Sequence, residues 1–436
     1  MGAVLAVVAA AGLGTGARAS TPPVPSLVDL GGNPVEVSTN PAAPTVLTAG
    51  LWADTLSGPG GSDANAHRFR YERTMQDSTV LVGVVGASPE TSDQIGVLLE
   101  AAGGPCDDQT STSGAAGTAF GTLAVATSTT FGDRNDECLT APSVDITVRR
   151  GTADLESDLP IAIRVVEEAP VRDAEADLPE VPDVAPFSLP QPADPTDLAG
   201  APSFDEAPEI TSGTYADALP EGSERLYRVR LDWGQSLAVR VDVAAQDAAA
   251  TETFSASADP VVDLSLFDPL RNAFDGGAED ADQDGGYTVD GDLLLDGTYP
   301  VAYLNRYKSQ NATVPGDYWV SVAVTPAAVD RAPVEVPVEL TVEVVGEPVE
   351  PPRSALTVTT PDTDSGPDGY DPATPYLVDD GVFSADVSGT PRVPGAAGDD
   401  VRRTAGLVVG AASLVSLAAG AVLLLRRGRL SRAAAR

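Results

Sequence analysis

A duplication narrows the possible folds more than any other feature of this chain. Residues 45–56 read TVLTAGLWADTL and residues 208–219 read PEITSGTYADAL. Both carry Gly-x-[Trp/Tyr]-Ala-Asp-x-Leu, so Gly50, Trp52, Asp54 and Leu56 correspond to Gly213, Tyr215, Asp217 and Leu219. A duplicated segment implies a duplicated structural unit. The copies stay in step beyond the motif. After a polar gap, Arg68-Phe69-Arg70-Tyr71 matches Leu226-Tyr227-Arg228-Val229. Met75-Gln76-Asp77 and an apolar run over 80–85 then match Trp233-Gly234-Gln235 with Leu237, Val239, Val241 and Val243. Gly50 to Phe69 is 19 positions and Gly213 to Tyr227 is 14. The extra residues of copy one suit a surface loop, because closure entropy grows slowly with loop length.

Both copies continue through short segments of alternating apolar and polar residues, at 95–99, 144–148 and 161–166 and at 261–267, 317–324 and 334–345. A period of two bounded by Gly, Pro and Asp is the pattern of a half-buried antiparallel strand. No convincing amphipathic helix interrupts these segments. The expectation is an all-β protein with two jelly-roll-like β-sandwich modules, 40–168 and 208–347.

Three segments of copy two carry a family likeness. They are Gly213-x-Tyr215-x-Asp217-x-Leu219, the strand Glu224-Arg225-Leu226-Tyr227-Arg228-Val229, and the turn Asp232-Trp233-Gly234-Gln235-Ser236-Leu237. Together they resemble the opening of bacterial pre-peptidase C-terminal-type β domains. Asp263-Leu264-Ser265-Leu266-Phe267-Asp268-Pro269 and Pro315-Gly316-Asp317-Tyr318-Trp319-Val320 agree with that likeness. With Tyr303-Leu304-Asn305-Arg306 and 337–347 included, copy two is more similar still to the extracellular β region of actinobacterial membrane proteins that carry a von Willebrand A domain. Copy one shares the likeness loosely. The resemblance implies noncatalytic accessory or binding modules. The metal-adhesion motif Asp-x-Ser-x-Ser of the A domain is absent from this sequence, so metal-dependent adhesion is not implied.

Two apolar runs flank the repeats. Residues 3–13 precede Ala17-Arg18-Ala19, a small-x-small cleavage pattern, so 1–19 reads as a secretory signal peptide. No Lys or Arg precedes the run, so either the α-amino group supplies the charge or the true start lies upstream. Residues 405–425 carry no charge and as a helix would span roughly 31 Å, about the hydrocarbon thickness of a bilayer. Arg426, Arg427, Arg429, Arg432 and Arg436 follow, which marks 426–436 as a basic cytoplasmic tail. The expectation is a C-terminal transmembrane helix, 405–425, in a single-pass type I membrane protein with its ectodomain outside. Thr390-Pro391-Arg392-Val393-Pro394-Gly395 does not match the LPxTG-like motif of a sortase substrate, so the helix reads as a permanent anchor. Residues 169–207, rich in Pro, Asp, Glu and Ala, read as an extended linker. Residues 348–404 read as a stalk with one short strand at 355–359.

The charge excludes some functions. The net charge is −38, and without the five tail arginines and Arg18 it becomes −44 on the ectodomain. A nucleic-acid partner would need a basic face, so none is expected. One His and two Cys exclude a multi-His metal centre, a zinc ribbon and an iron–sulfur cluster.

Few residues are left to carry chemistry. Cys106 and Cys138 would form a disulfide in an exported chain, closing a Ser/Thr/Gly-rich loop and contributing roughly 3–4 kcal/mol. Asp280, Asp282 and Asp284 with Gly285 form Asp-x-Asp-x-Asp-Gly, the opening of many Ca²⁺ loops. The twelfth position, where an EF-hand has Glu, is Gly291, and Asp290 and Asp292 flank it. The loop is thus a candidate for a structural Ca²⁺, with a solvated acidic loop as the alternative. His67 reads as a surface residue at a strand start. Gly234-Gln235-Ser236-Leu237-Ala238 is followed by a strand rather than by the helix a nucleophile elbow requires. Trp52, Trp233 and Trp319 fall in the strand patterns and read as packing residues. Asn311-Ala312-Thr313 is a sequon, meaningful in a host that glycosylates exported chains.

No catalytic residue is assigned. The expectation is a noncatalytic cell-surface protein that binds or supports another envelope protein or a cell-wall component. An accessory or remnant of an exported hydrolase and a Ca²⁺-dependent adhesin stand as alternatives.

Overall fold

The computed structural model describes residues 27–58, 65–73, 77–88, 93–101, 104–112, 121–129, 136–151, 157–168, 182, 188–254, 258–274, 284–308, 311–328, 331–349, 376–379 and 382–385. The segments expected to be a signal peptide (1–19), a transmembrane helix (405–425) and a basic tail (426–436), most of the expected stalk, Asp280 and Asp282 lie outside these residues. Among the described residues no helix is long and apolar enough to cross a membrane.

The chain is all-β, as the alternating pattern predicts. The first half forms β1 (Asn33–Pro34), β2 (Thr45–Leu47), β3 (Gly50–Leu56), β4 (His67–Glu72), β5 (Thr79–Ser88), β6 (Gln94–Ala101), β7 (Gly104–Thr112), β8 (Gly121–Ser128), β9 (Ser143–Arg150) and β10 (Leu159–Glu168). The second half forms β11 (Thr196–Asp197), β12 (Gly213–Pro220), β13 (Ser223–Leu231), β14 (Ser236–Val243), β15 (Val261–Phe267), β16 (Ala273–Phe274), β17 (Asp284–Gly286), β18 (Asp292–Gly297), β19 (Gly316–Val324) and β20 (Glu335–Val345). Two short helices, α1 (Asp136–Thr140) and α2 (Ala248–Phe254), and a 3-10 turn at Tyr303–Tyr307 sit between strands. A hairpin of β21 (Tyr376–Asp379) and β22 (Val382–Ala385) joins the start of β19 through Val378 opposite Gly316.

The strands form two sheet pairs. In the first, β1-β3-β10-β5-β8 faces β2-β4-β9-β6-β7. Val80, Val82, Val84, Ile146, Val148 and Ile163 fill the space between them. In the second, β11-β12-β20-β14-β18 faces a sheet in which β19 lies between β13 and β15. Val239, Val241, Leu264, Val320, Val322 and Leu340 lie in its core.

The pairs match strand for strand. β1 runs parallel to β3 with Asn33 opposite Trp52, and β11 runs parallel to β12 with Thr196 opposite Tyr215. Ser38 bridges Arg68 and Ala201 bridges Leu226, both antiparallel. Val46 pairs with Arg70 in parallel, and Glu209 pairs with Arg228 in the same sense. Upstream of the polar gap the copies differ by 163 positions (38 to 201) and downstream by 158 (68 to 226). The shift places the insertion of copy one between β3 and β4. Pro160 and Pro337 also correspond, opposite Thr55 and Ala218. Each stands near a strand start, where a lost N–H is tolerated.

β5 departs from half-burial, since every residue from Thr79 to Ser88 is buried. Its even-numbered valines point into the first core. Leu81, Val85 and Ala87 point the other way, against the second pair. Ala124 and Ala162 share that outward face and meet Leu226, Phe267 and Trp319, while Ala126 and Val166 join Leu81 against Leu270 and the second core. A continuous apolar run marks a strand covered on both faces. Gly83 sits at the tightest point, where a Cβ would stand 1.9 Å from the Leu270 carbonyl oxygen.

This face-to-face seam corrects the expected linker. Composition reads 169–207 as an extended spacer, yet its second part is built into the fold. β11 pairs with β12, and Phe204 is buried with its ring edge-on to Phe267 and Trp319 at 5.3 Å each. The described fold also begins before residue 40, because Val28 and Leu30 are buried and Asp29 bridges Ser203. A few apolar side chains suffice to dock a Pro-rich segment that composition assigns to solvent.

Candidate functional site

The duplicated motif has the geometry of a strand-start clasp. Trp52 folds back over Gly50 and its indole Nε1 donates to the Thr48 carbonyl at 3.0 Å. Tyr215 folds over Gly213 and its hydroxyl donates to the Thr211 carbonyl at 2.9 Å. Thr48 and Thr211 are equivalent, four residues upstream of each ring. The same turn occurs at Gly316-Asp317-Tyr318, where the Tyr318 hydroxyl donates to the Val314 carbonyl at 2.6 Å. Gly50 and Gly316 both adopt φ of +147°, a region that side chains resist, so glycine is required at those corners. A Tyr hydroxyl or Trp N–H that enters a core needs such a partner.

The motif aspartates work in the same way as each other. Asp54 Oδ1 accepts the Thr55 N–H at 2.6 Å and Asp217 Oδ1 accepts the Ala218 N–H at 2.7 Å. The second oxygen reaches the neighbouring strand. Asp54 Oδ2 lies 2.5 Å from His67 Nδ1, and Asp217 Oδ2 accepts the Tyr227 hydroxyl at 2.7 Å. Burial and the Asp217 charge push the Tyr227 phenol well up, so it stays a hydrogen-bond donor. His67 is therefore not the surface residue its polar surroundings suggest. Its side chain is 12% exposed and held by Asp54. Leu56 and Leu219 close the motif in the two cores.

The remaining candidates are placed as follows. Cys106 on β7 and Cys138 in α1 form a disulfide, with Cα atoms 5.7 Å apart. Arg73 donates to the carbonyls of Ala141 and Cys138 beside it. In the acidic loop, Asp284 stands on β17, Asp290 precedes Gly291 and Asp292 opens β18. Asp292 Oδ2 accepts the Gly286 N–H at 2.8 Å and its Oδ1 accepts the Leu293 N–H at 2.9 Å, so this carboxylate organises its own turn. Among the described residues no group of three or more His, Cys, Asp or Glu is placed to hold a metal ion. Trp233 and Trp319 are buried, and Trp319 Nε1 donates to the Phe204 carbonyl at 3.0 Å. Ser236 opens β14 and is buried. The sequon is engaged internally: Asn311 Oδ1 accepts the Tyr299 N–H at 2.9 Å and Thr313 is buried.

Sequence reasoning missed the polar groups of the seam. Arg306 and Glu168 are both fully buried, 2.5 Å apart, and join the second pair to β10 of the first. The Arg306 guanidinium also lies 3.9 Å from the Tyr303 ring centroid. Arg164 Nη1 donates to the Pro269 carbonyl at 2.6 Å. Arg271 is buried against Phe204 and Trp319, donates to the Leu30 carbonyl and pairs with Asp205 at 2.7 Å. Glu224 accepts hydroxyl hydrogen bonds from Thr122 and Ser321, and burial pushes its carboxyl up. Burial also pushes Asp263 and Asp268 up to about 7 each. A charged residue at an outward strand position reads as solvent-facing unless a second layer is known to cover it.

No family model matches the chain, and no curated protein matches it. Likenesses to solved structures are shallow. A protein from Eubacterium rectale has a TM-score of 0.19 at 10% identity, over 76% of this chain and 91% of its own. The CUB1-EGF-CUB2 domains of rat MASP-1 give 0.17 at 8%, over 69% of this chain and 100% of that one. The infectious bursal disease virus Gt strain structure gives 0.21 at 12%, over 69% and 70%. At these scores neither fold nor function carries across.

Proposed function

We propose that the chain is an exported, membrane-anchored, noncatalytic cell-surface protein whose two β-sandwich modules bind or support partners in the cell envelope. A signal peptide over 1–19 directs export, a helix over 405–425 retains the chain, and the arginines of 426–436 hold the tail in the cytoplasm. The observation that carries the noncatalytic reading is the occupation of the repeated polar motif and of the lone histidine in hydrogen bonds internal to an all-β body. The disulfide fits an oxidising compartment. The partner class is another envelope protein or a cell-wall component.

Fractionation of cells making either the full chain or a chain lacking 402–436 tests the anchor. The full chain should remain with salt-washed membranes and the shortened one should reach the medium. Membrane retention of the shortened chain would overturn the anchor. Labelling of the full chain by a serine-reactive probe, or peptidase turnover by it, would overturn the noncatalytic assignment.

A further inference from the structure

We propose that the seam between the two sheet pairs is a pH-sensitive clasp, closed in acid and loosened above neutrality, with Glu224 and Asp263 as its titrating pair. Glu224 on β13 faces the first pair and receives the Thr122 hydroxyl of β8 at 2.9 and 3.0 Å on its two oxygens. It also accepts the Ser321 hydroxyl of β19 at 2.7 Å. Strand register sets Glu224 and Asp263 on either side of Ala323, with Asp284 opposite Asp263. Three carboxyls and one alanine thus form a single row across β13, β19, β15 and β17, and that row holds no cation. The charged groups acting on Asp263 are Glu224 from β13 and Asp284 from β17, while Ser265 on its own strand donates to it. The groups facing Glu224 from β19 and β8 are the hydroxyls of Ser321 and Thr122. Arg225, next in sequence, gives Nη1 to the Glu224 main-chain carbonyl at 3.2 Å.

The Thr122 and Ser321 hydroxyls can stabilise a charge on buried Glu224, but a second charge on half-buried Asp263 must repel it across a single strand. Burial first, and Glu224 second, push Asp263 up to about 7. The folded protein therefore keeps a proton that the unfolded chain releases near pH 4. The seam's contribution to stability is complete in acid, declines as pH rises from about 4 to about 7, and stays low above that. Asp268, also raised, faces Arg164 elsewhere in the seam and adds to any global pH slope, so the test must be local.

Hydrogen exchange of the full chain at pH 5.5, 7 and 8.5, corrected for intrinsic rates, supplies a local reading. It compares β8 and β13 at the seam with β9 in the far sheet. Protection of β8 and β13 relative to β9 should fall about tenfold between pH 5.5 and 8.5, and Asp263→Asn should remove most of that fall. A constant ratio in the parent chain, or an undiminished fall in Asp263→Asn, would overturn the proposal. If Asp263→Asn does not fold, Glu224→Gln keeps an acceptor for both hydroxyls and gives the same comparison, and the parent ratio decides alone if neither folds.

Discussion

In the first sheet pair the repeated aspartate, Asp54, holds an imidazole; in the second, Asp217 holds a phenol. The strand order around the two is the same, and so is the aromatic clasp four residues downstream of a threonine carbonyl. What differs is the material that stabilises each copy. The second core contains Trp233, Phe254, Tyr227, Tyr287, Tyr303 and Tyr318, whereas the aromatic residues buried in the first are Phe69 and Tyr71. The first pair instead has a disulfide. Apolar alternation and glycine corners set a shared topology. The side chains that then hold each copy depend on what lies against it.

The sharpest way to break the comparison is to separate the copies. Arg306→Ala leaves Glu168 buried without its ionic partner, because both members of this pair are fully enclosed. Removing one partner of a buried pair costs about 3–5 kcal/mol. Denaturant unfolding should show that loss, with the two pairs separating into distinct transitions. A single transition at the parent midpoint would mean that the seam does not couple them. Next in size is Cys138→Ser. The closed loop contributes roughly 3–4 kcal/mol through chain entropy, and the loss should fall on the first pair. Hydrogen exchange should show lower protection in β6, β7 and β9 with little change in β14 and β20. Equal loss in both pairs would show that the staple acts across the seam.

Much of the framework was legible in the sequence. The match of Gly50, Trp52, Asp54 and Leu56 to Gly213, Tyr215, Asp217 and Leu219 located equivalent strands, and the spacing difference located the insertion. These features are local, and local pattern encodes strand position directly. The seam was not legible, because nothing local distinguishes Glu224 or Arg306 from a solvent-facing residue. Burial of either depends on β8 or β10, 102 and 138 residues away in the chain. The apolar run at 80–85 was the available signal, since only a strand covered on both faces needs apolar residues at successive positions. His67 was misread for a related reason: its partner, Asp54, lies across the insertion.

Smaller substitutions sharpen the equivalence. Asp217→Ala strands the buried Tyr227 hydroxyl and should cost about 1–3 kcal/mol. Asp54→Ala should cost a similar amount through His67, and a markedly smaller effect would show that the imidazole finds water instead. The clasps give a finer comparison. Tyr215→Phe deletes the donor to an upstream threonine carbonyl while keeping the ring and should cost about 1 kcal/mol, whereas Trp52→Phe deletes the equivalent donor and also trims the indole, so it should cost more. The lower bound comes from Arg149→Ala. Arg149 pairs with Asp108 at 3.0 Å on the solvent face of the first pair, and both side chains are more than a third exposed. Water screens such a pair, and holding two mobile side chains together offsets most of the attraction, so the change should be under about 1 kcal/mol. A loss as large as that of Asp217→Ala would mean that this outer face is covered, as the outward face of β5 is.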